Sequence, residues 1–143
     1  MWLCAAAALV VACAKSTPPP AEPTGPPGQP AIPEDQVAMG GKLYGQYCAK
    51  CHGAAGEGTD KAPPVVGPSA LPEKPRPGSK RGADFKTALD VALFVKKAMP
   101  GDDPGSLTDD QYFAILAFDL KANGVDVTGK RIDASSSGAI KLH

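Results

Sequence analysis

Five consecutive residues, Cys48-Ala49-Lys50-Cys51-His52, constrain this chain more than any other feature of its sequence. They form the pattern C-x-x-C-H, which marks sites of covalent haem attachment. Residues three apart share one face of a helix, so both thiols can form thioether bonds to the vinyl groups on one edge of a haem. The histidine that follows can turn its imidazole beneath the iron as an axial ligand. We therefore predict one covalently bound haem c per chain.

Other uses of two cysteines explain this pattern less well. A thioredoxin-like C-x-x-C requires a βαβ context, and no strand-like alternation is present. A tetrahedral zinc site needs four ligands, but the only other histidine is His143, at the end of the sequence. A disulfide between Cys48 and Cys51 is conceivable in an exported protein. It leaves the adjacent His52 unexplained.

A haem that only transfers electrons needs a second axial ligand, and methionine in that role raises the reduction potential. Met99 lies far enough beyond His52 for the chain to reach the opposite side of the haem. Met39 lies on the helix that carries the attachment site, so we assign it to filling a gap in the core. Six-coordinate iron leaves no open position for substrate. We predict an electron-transfer protein rather than an enzyme, with a five-coordinate haem sensor or peroxidase-like enzyme as the alternative.

The first 33 residues of the chain are predicted to lie outside the folded unit. Residues 1–12 form a short apolar run that is typical of a secretory signal. Because Cys13 follows directly, the run resembles a bacterial lipoprotein signal, with an ordinary signal peptide as the alternative. Half of the 16 prolines lie between Pro18 and Pro33. We therefore predict that residues 13–33 form an extended tether behind a lipidated Cys13.

The remaining sequence predicts an all-α domain over residues 34–126, followed by a C-terminal tail at 127–143. Apolar spacing predicts a helix over about 35–49. Asp84 is a candidate N-cap for a second helix over 85–98. The last helix begins after Thr108, where Gln111 completes a capping-box pattern, and ends at Gly124. The long Gly/Pro-rich stretch 53–82 is expected to wrap a bound object.

Nearly the whole of residues 36–126 resembles the class I cytochrome c family, whose small fold packs three main helices and a long loop around the haem. Gly40 and Tyr44 stand eight and four residues before the first haem cysteine, as in that family. Ile115 and Phe118 occupy the positions at which its C-terminal helix crosses the first helix. The resemblance also implies that the carbonyl of a proline about twelve residues after His52 accepts the imidazole Nδ1–H. Pro64 fits this role best, with Pro63 as the alternative.

Further matches concern the second half of the domain. Met99 precedes a proline, and Leu-Thr precedes the last helix, as is common in the family. The stretch 120–124, Leu-Lys-Ala-Asn-Gly, resembles small bacterial cytochrome subunits that accept electrons from periplasmic dehydrogenases. Some members bind a haem propionate with a tryptophan, but the only tryptophan here is Trp2. The candidate propionate donors are instead Arg76, Lys80, Arg81 and backbone amides of the loop.

The charge balance limits the partners of this chain. Fifteen basic residues match fifteen acidic ones, so nothing indicates binding to nucleic acid. We expect redox proteins as partners, with a dehydrogenase as donor and an oxidase or another cytochrome as acceptor. The protein is predicted to be a monomer anchored on the periplasmic side of a bacterial membrane, or a subunit of a larger dehydrogenase or oxidase complex. A basic rim at Lys96 and Lys97, with acidic neighbours, is either a docking surface or an exposed mixed-charge surface. The acidic neighbours are Asp102, Asp103, Asp109 and Asp110.

Overall fold

The computed structural model describes residues 33–143, with side chains from Gln36 onward. The predicted signal at 1–12, the lipidated Cys13 and the tether up to residue 32 lie outside the described residues. Within residues 33–143 the structure is helical and has no strand. A single bridge pairs Thr87 with Lys141. No helix in this part of the chain has the length and apolar character needed to cross a membrane.

The N-terminal helix α1 spans Pro33–Tyr47, and a four-residue helix α2 follows at Ala49–His52. The sequence predicted one helix over 35–49, so the structure begins it two residues earlier and interrupts it at Cys48. The backbone N–H groups of Cys51 and His52 both donate to the carbonyl of Cys48, each at 3.0 Å. Cys48 therefore begins a new helical turn, and that turn carries the second cysteine and the histidine.

Helix α3 spans Ala88–Ala98, three residues shorter at its start than predicted. Asp84 was predicted as its N-cap, and this is wrong. The cap is Thr87, whose backbone N–H donates to the Asp90 carboxylate at 2.7 Å. Because Asp90 holds the cap, Asp84 is free to form an ion pair with Lys74 at 2.7 Å.

Helix α4 spans Asp109–Ala122, and its capping box is confirmed. The Gln111 N–H donates to the Thr108 hydroxyl at 3.3 Å, and the Thr108 N–H donates to the Gln111 side chain at 2.9 Å. Gly124 ends the helix as predicted, with φ at 80° and its N–H donating to the carbonyl of Lys121. A positive φ of this kind is easily adopted only by glycine, which explains why the helix stops here.

Helices α1 and α4 make their closest contact at Gly40. A Cβ atom placed on this residue would lie 1.9 Å from the Ala114 carbonyl oxygen and 3.0 Å from the Phe118 Cβ. One turn later, the Tyr44 ring packs on the Phe118 ring with centroids 5.4 Å apart. The crossing therefore depends on the absence of a side chain at Gly40, in agreement with the resemblance drawn from the sequence.

We predict opposite effects for two glycine substitutions in α1. Gly40→Ala should lower the free energy of unfolding by about 1–3 kcal/mol, because the added methyl group must push α4 away. Gly45→Ala is the matched control, since no atom lies within 4 Å of its added Cβ. It should raise stability by about 0.5–1 kcal/mol, because alanine is the better helix former. Urea unfolding of both variants measures the difference, and equal midpoints would contradict the close crossing.

An apolar cluster joins α3, α4 and the C-terminal segment. Its fully buried members include Ala88, Leu120 and Ile132. The Gln36 side-chain amide forms two buried hydrogen bonds with the backbone of Ile132, at 2.7 and 2.9 Å. The C-terminal segment therefore belongs to the core. The boundary predicted at residue 126, with a tail at 127–143, is corrected accordingly. This packing is hard to predict from the sequence, because apolar residues are widely spaced in this segment.

Candidate haem-attachment site

The two cysteines of the motif are free thiols, each partly buried. The disulfide that the sequence left open between Cys48 and Cys51 is therefore absent. Burial, and after it the negative charge of Asp119, raises the pKa of the Cys48 thiol to about 12. This thiol is neutral at physiological pH, and a neutral thiol is a weak nucleophile and a weak ligand for metal ions.

The His52 ring is oriented by the loop that follows it. Its Nδ1 atom lies 2.7 Å from the carbonyl oxygen of Pro63. Since a carbonyl oxygen can only accept, Nδ1 carries the hydrogen and Nε2 is left as the ligand atom. Pro64 was the favoured acceptor, and the structure moves this role one residue earlier, to the stated alternative. The reason is the tight return of the loop, in which the Gly58 N–H donates to the His52 carbonyl at 2.7 Å.

An apolar cluster lies beside Cys48, and we call it the attachment cluster. It consists of the buried residues Tyr44, Leu107, Tyr112 and Ile115. Cys48, Ala49 and Val65 are among the partly buried residues packed against it. The Tyr44 hydroxyl donates to the Gly53 carbonyl at 2.8 Å, which ties α1 to the residue after the histidine. Two thiols, an oriented imidazole and an apolar surrounding fit an iron porphyrin.

Met99 lies at the end of α3 and is partly buried. Its backbone N–H donates to the Val95 carbonyl at 2.8 Å, and its carbonyl accepts a hydrogen bond from the Tyr112 hydroxyl at 2.7 Å. Tyr112 belongs to the attachment cluster, so this bond fixes the backbone of Met99 beside that cluster. Axial ligation by the Met99 sulfur stays a prediction.

Met39, the other methionine of the folded domain, is not buried in the core as predicted. Met39 was assigned to filling a gap in the core, but it is 40% exposed. The two residues that follow it, Gly40 and Gly41, are the ones that lie against α4. Met39 is therefore a surface residue.

One ion pair connects the motif to the loop after Met99. The Lys50 ammonium lies 2.5 Å from the Asp102 carboxylate, and both side chains are more than half exposed. Their hydrogen bond raises the pKa of Lys50 and lowers that of Asp102. At the predicted basic rim, Lys96 pairs with Asp109 at 2.6 Å. This surface therefore carries mixed charge.

The three candidate propionate donors differ in how they are held. Lys80 is exposed, and Arg76 donates to the carbonyl of Ser69. Arg81 is only 7% exposed, and its guanidinium lies 3.7 Å from the centroid of the Phe85 ring. Its Nη1 atom is buried and has no partner within the described part of the chain. Of the three, Arg81 alone has a buried donor left unused.

Two residues near this site, Asp119 in α4 and Asn123 at its C-cap, were not predicted to have a role. The Asn123 side chain donates to the Val65 carbonyl at 2.8 Å and accepts from the Gly67 N–H at 3.1 Å, so it fastens the loop to α4. Asp119 has a buried carboxylate oxygen without a hydrogen-bond partner in residues 33–143. The only sequence signal for Asp119 is an acidic residue at a position where the spacing of α4 calls for an apolar one.

The helical fold, the two thiols and the oriented histidine together define a c-type cytochrome. A family model described as cytochrome c oxidase, cbb3-type, subunit III, matches residues 35–118, and the chain belongs to this family. Membership implies covalently bound haem c, whose iron carries the electron.

Two similar proteins are dehydrogenases by name. Thiosulfate dehydrogenase from Psychrobacter arcticus is 32% identical over 102 residues, which cover 63% of this chain and 29% of that protein. The crystal structure of the sulfane dehydrogenase SoxCD from Paracoccus pantotrophus aligns with a TM-score of 0.58 and 30% identity. That alignment covers 74% of this chain and 52% of the other. The chain therefore spans under a third of the first protein and about half of the second.

Proposed function

We propose that this chain is a single-electron carrier with one haem c, attached through Cys48 and Cys51 and ligated by His52 and Met99. The observation that carries the proposal is the hydrogen bond between His52 Nδ1 and the Pro63 carbonyl, which leaves Nε2 available beside two free thiols. The bound group supplies a one-electron ferric/ferrous couple. The chain supplies the ligands, the apolar surrounding and the exclusion of water.

The polypeptide is expected to enclose the haem between two parts of the fold. The attachment cluster covers the side of the two cysteines, and the loop from Gly53 to the start of α3 covers the remainder. Arg81 is our candidate donor to a propionate, because its Nη1 atom is buried and unused. A methionine ligand opposite His52 would fill the sixth position, and this favours electron transfer over gas binding or peroxidase-like chemistry.

The comparisons favour a dehydrogenase as the electron donor. Both similar proteins carry the word dehydrogenase in their names, and the chain covers only part of each. We propose that the chain receives electrons from such an enzyme, as a separate carrier or as a subunit of the complex. Because the named substrates of the two relatives are sulfur compounds, an enzyme that oxidises reduced sulfur is the first donor to test.

We also propose that the protein is attached to the periplasmic side of a bacterial membrane. The support is the sequence alone, in which an apolar run of twelve residues ends at Cys13. Several acyl chains on one cysteine give stable anchoring. The Pro-rich tether would then let the cytochrome domain reach partners near the surface, at a raised effective concentration.

One preparation tests these proposals together. The full chain, affinity-purified from detergent-solubilised membranes, should take up one electron per chain in a reductive titration. Cys13→Ser should move the protein to the soluble periplasmic fraction and leave the titration unchanged. A dehydrogenase that co-purifies in equal amount would identify the chain as a subunit. Absence of any reducible haem would contradict the proposed function, and retention of Cys13→Ser in the membrane would contradict the anchor.

A further inference from the structure

A buried carboxylate without a partner lies beside the attachment site. Asp119 is on α4, four residues after Ile115 and seven after Tyr112, so it continues the stripe that carries two members of the attachment cluster. Its Oδ1 atom is shielded from solvent and has no hydrogen-bond partner among residues 33–143. A buried polar atom left unpaired in this way is costly, so it calls for an explanation.

Two hydrogen bonds from Asn123 fix the backbone of Asp119. The backbone N–H and the side-chain amide of Asn123 both donate to the Asp119 carbonyl, at 3.0 and 2.8 Å. The same amide donates to Val65, which packs on the attachment cluster. The backbone of Asp119 is therefore linked through Asn123 to the loop.

Two titratable side chains face Asp119: Tyr44 from α1, and Cys48 from the turn after α1. After burial, the charge of Asp119 is the next cause that raises the pKa of each group. Glu57, in the loop, adds its own charge at Tyr44. The positive charge of Lys50 partly offsets these charges at Cys48. Asp119 itself is in none of the ion pairs found in residues 33–143.

The lysines of the elements packed around Asp119 do not reach it. Lys121, on the same helix, and Lys97, on α3, are exposed, and Lys96 pairs with Asp109. Burial alone raises the pKa of Asp119 to about 7. Because this pKa is close to neutral, a change in charge near Asp119 can change its protonation state at neutral pH.

We propose that Asp119 is the group whose protonation follows the redox state of the haem iron, an inference that rests on the proposed function above. Ferric iron carries one more positive charge than ferrous iron and favours the carboxylate. When the iron gains an electron, the Asp119 carboxylate takes up one proton from solvent, and on oxidation it returns that proton. Electron and proton then enter together, so the buried site changes little in net charge.

The proposal fixes the sign of a pH effect. Above both pKa values the carboxylate stays charged, and the potential is independent of pH. Between the ferric and the ferrous pKa, reduction takes up a proton and the potential falls as pH rises. Each pH unit in that interval changes the redox equilibrium at most tenfold, which is 59 mV for a one-electron couple.

The test is a series of redox titrations of the haem-loaded full chain between pH 5 and pH 9. The wild type should show a potential that falls with pH across the region around neutrality. Asp119→Asn should give a flat profile, and Asp119→Glu should restore the slope. Asp126→Asn is the matched control, because it removes one carboxylate at a position where the side chain is 73% exposed. It should keep the wild-type slope.

A second readout follows the proton itself. The infrared difference spectrum between reduced and oxidised wild type should contain a band of a protonated carboxyl group that Asp119→Asn removes. A flat wild-type profile, or a slope that persists in Asp119→Asn, would overturn the proposal and assign any proton uptake to another group. These results are obtained only on protein that contains haem. A haem-free preparation would instead contradict the proposed function.

Discussion

The double variant Cys48→Ser with Cys51→Ser is expected to contain no covalently bound haem. Both thiols are free. The two cysteines lie one helical turn apart, and the backbone N–H of Cys51 donates to the backbone carbonyl of Cys48. Serine preserves their size but cannot form a thioether. After acidified acetone extraction, the wild-type polypeptide should keep the haem absorbance and the double variant should lose all of it.

Cys13→Ser is the matched control for this experiment, since it also replaces one cysteine by serine and leaves the motif intact. It should retain the full haem content. Each single variant of the motif keeps one thioether position, so any haem that remains in the single variants should disappear in the double variant. Haem that stays bound after extraction of the double variant would show that the attachment lies elsewhere in the chain.

Replacement of Met99 by alanine is expected to open the sixth coordination position of the iron. The reduced wild type should bind carbon monoxide poorly at neutral pH, because the thioether occupies that position. Met99→Ala should bind carbon monoxide fully and have a lower reduction potential, since methionine ligation favours ferrous iron. Absorbance spectra of the reduced protein under carbon monoxide measure the first effect, and a redox titration measures the second.

Met39→Ala provides the matched control for this substitution. Met39 is a surface residue of α1, so its loss should leave both the carbon monoxide spectrum and the potential unchanged. If the wild type bound carbon monoxide as readily as Met99→Ala, the iron would be five-coordinate or easily exchanged. The sensor or peroxidase-like alternative would then replace electron transfer as the function.

Features set by local sequence were the ones that could be predicted. The capping box at Thr108 and Gln111 and the terminating Gly124 depend on residues a few positions apart, and the structure has them as expected. The start of α3 was misplaced because the sequence contains two candidate caps, Asp84 and the Thr87–Asp90 capping box, and the structure uses the second. Asp84 has Lys74 as a partner, which lies ten residues away and is not apparent from the local pattern.

Features set by tertiary packing were missed or misplaced. Residues 127–143 join the core through contacts such as Gln36 with Ile132, which are 96 positions apart. The choice between Pro63 and Pro64 depends on how tightly the loop returns to His52, and no motif encodes that distance. Asp119 could not be recognised either, because one acidic residue in an amphipathic helix is ordinarily exposed.

The most direct test of the central claim is the intact mass of the wild-type protein measured under denaturing conditions. Unfolding releases any haem that is held by ligation alone, and leaves in place haem that is joined to cysteine. We predict a mass that exceeds that of the processed polypeptide by one haem. A mass equal to the polypeptide, with free haem recovered separately, would contradict covalent attachment at Cys48 and Cys51.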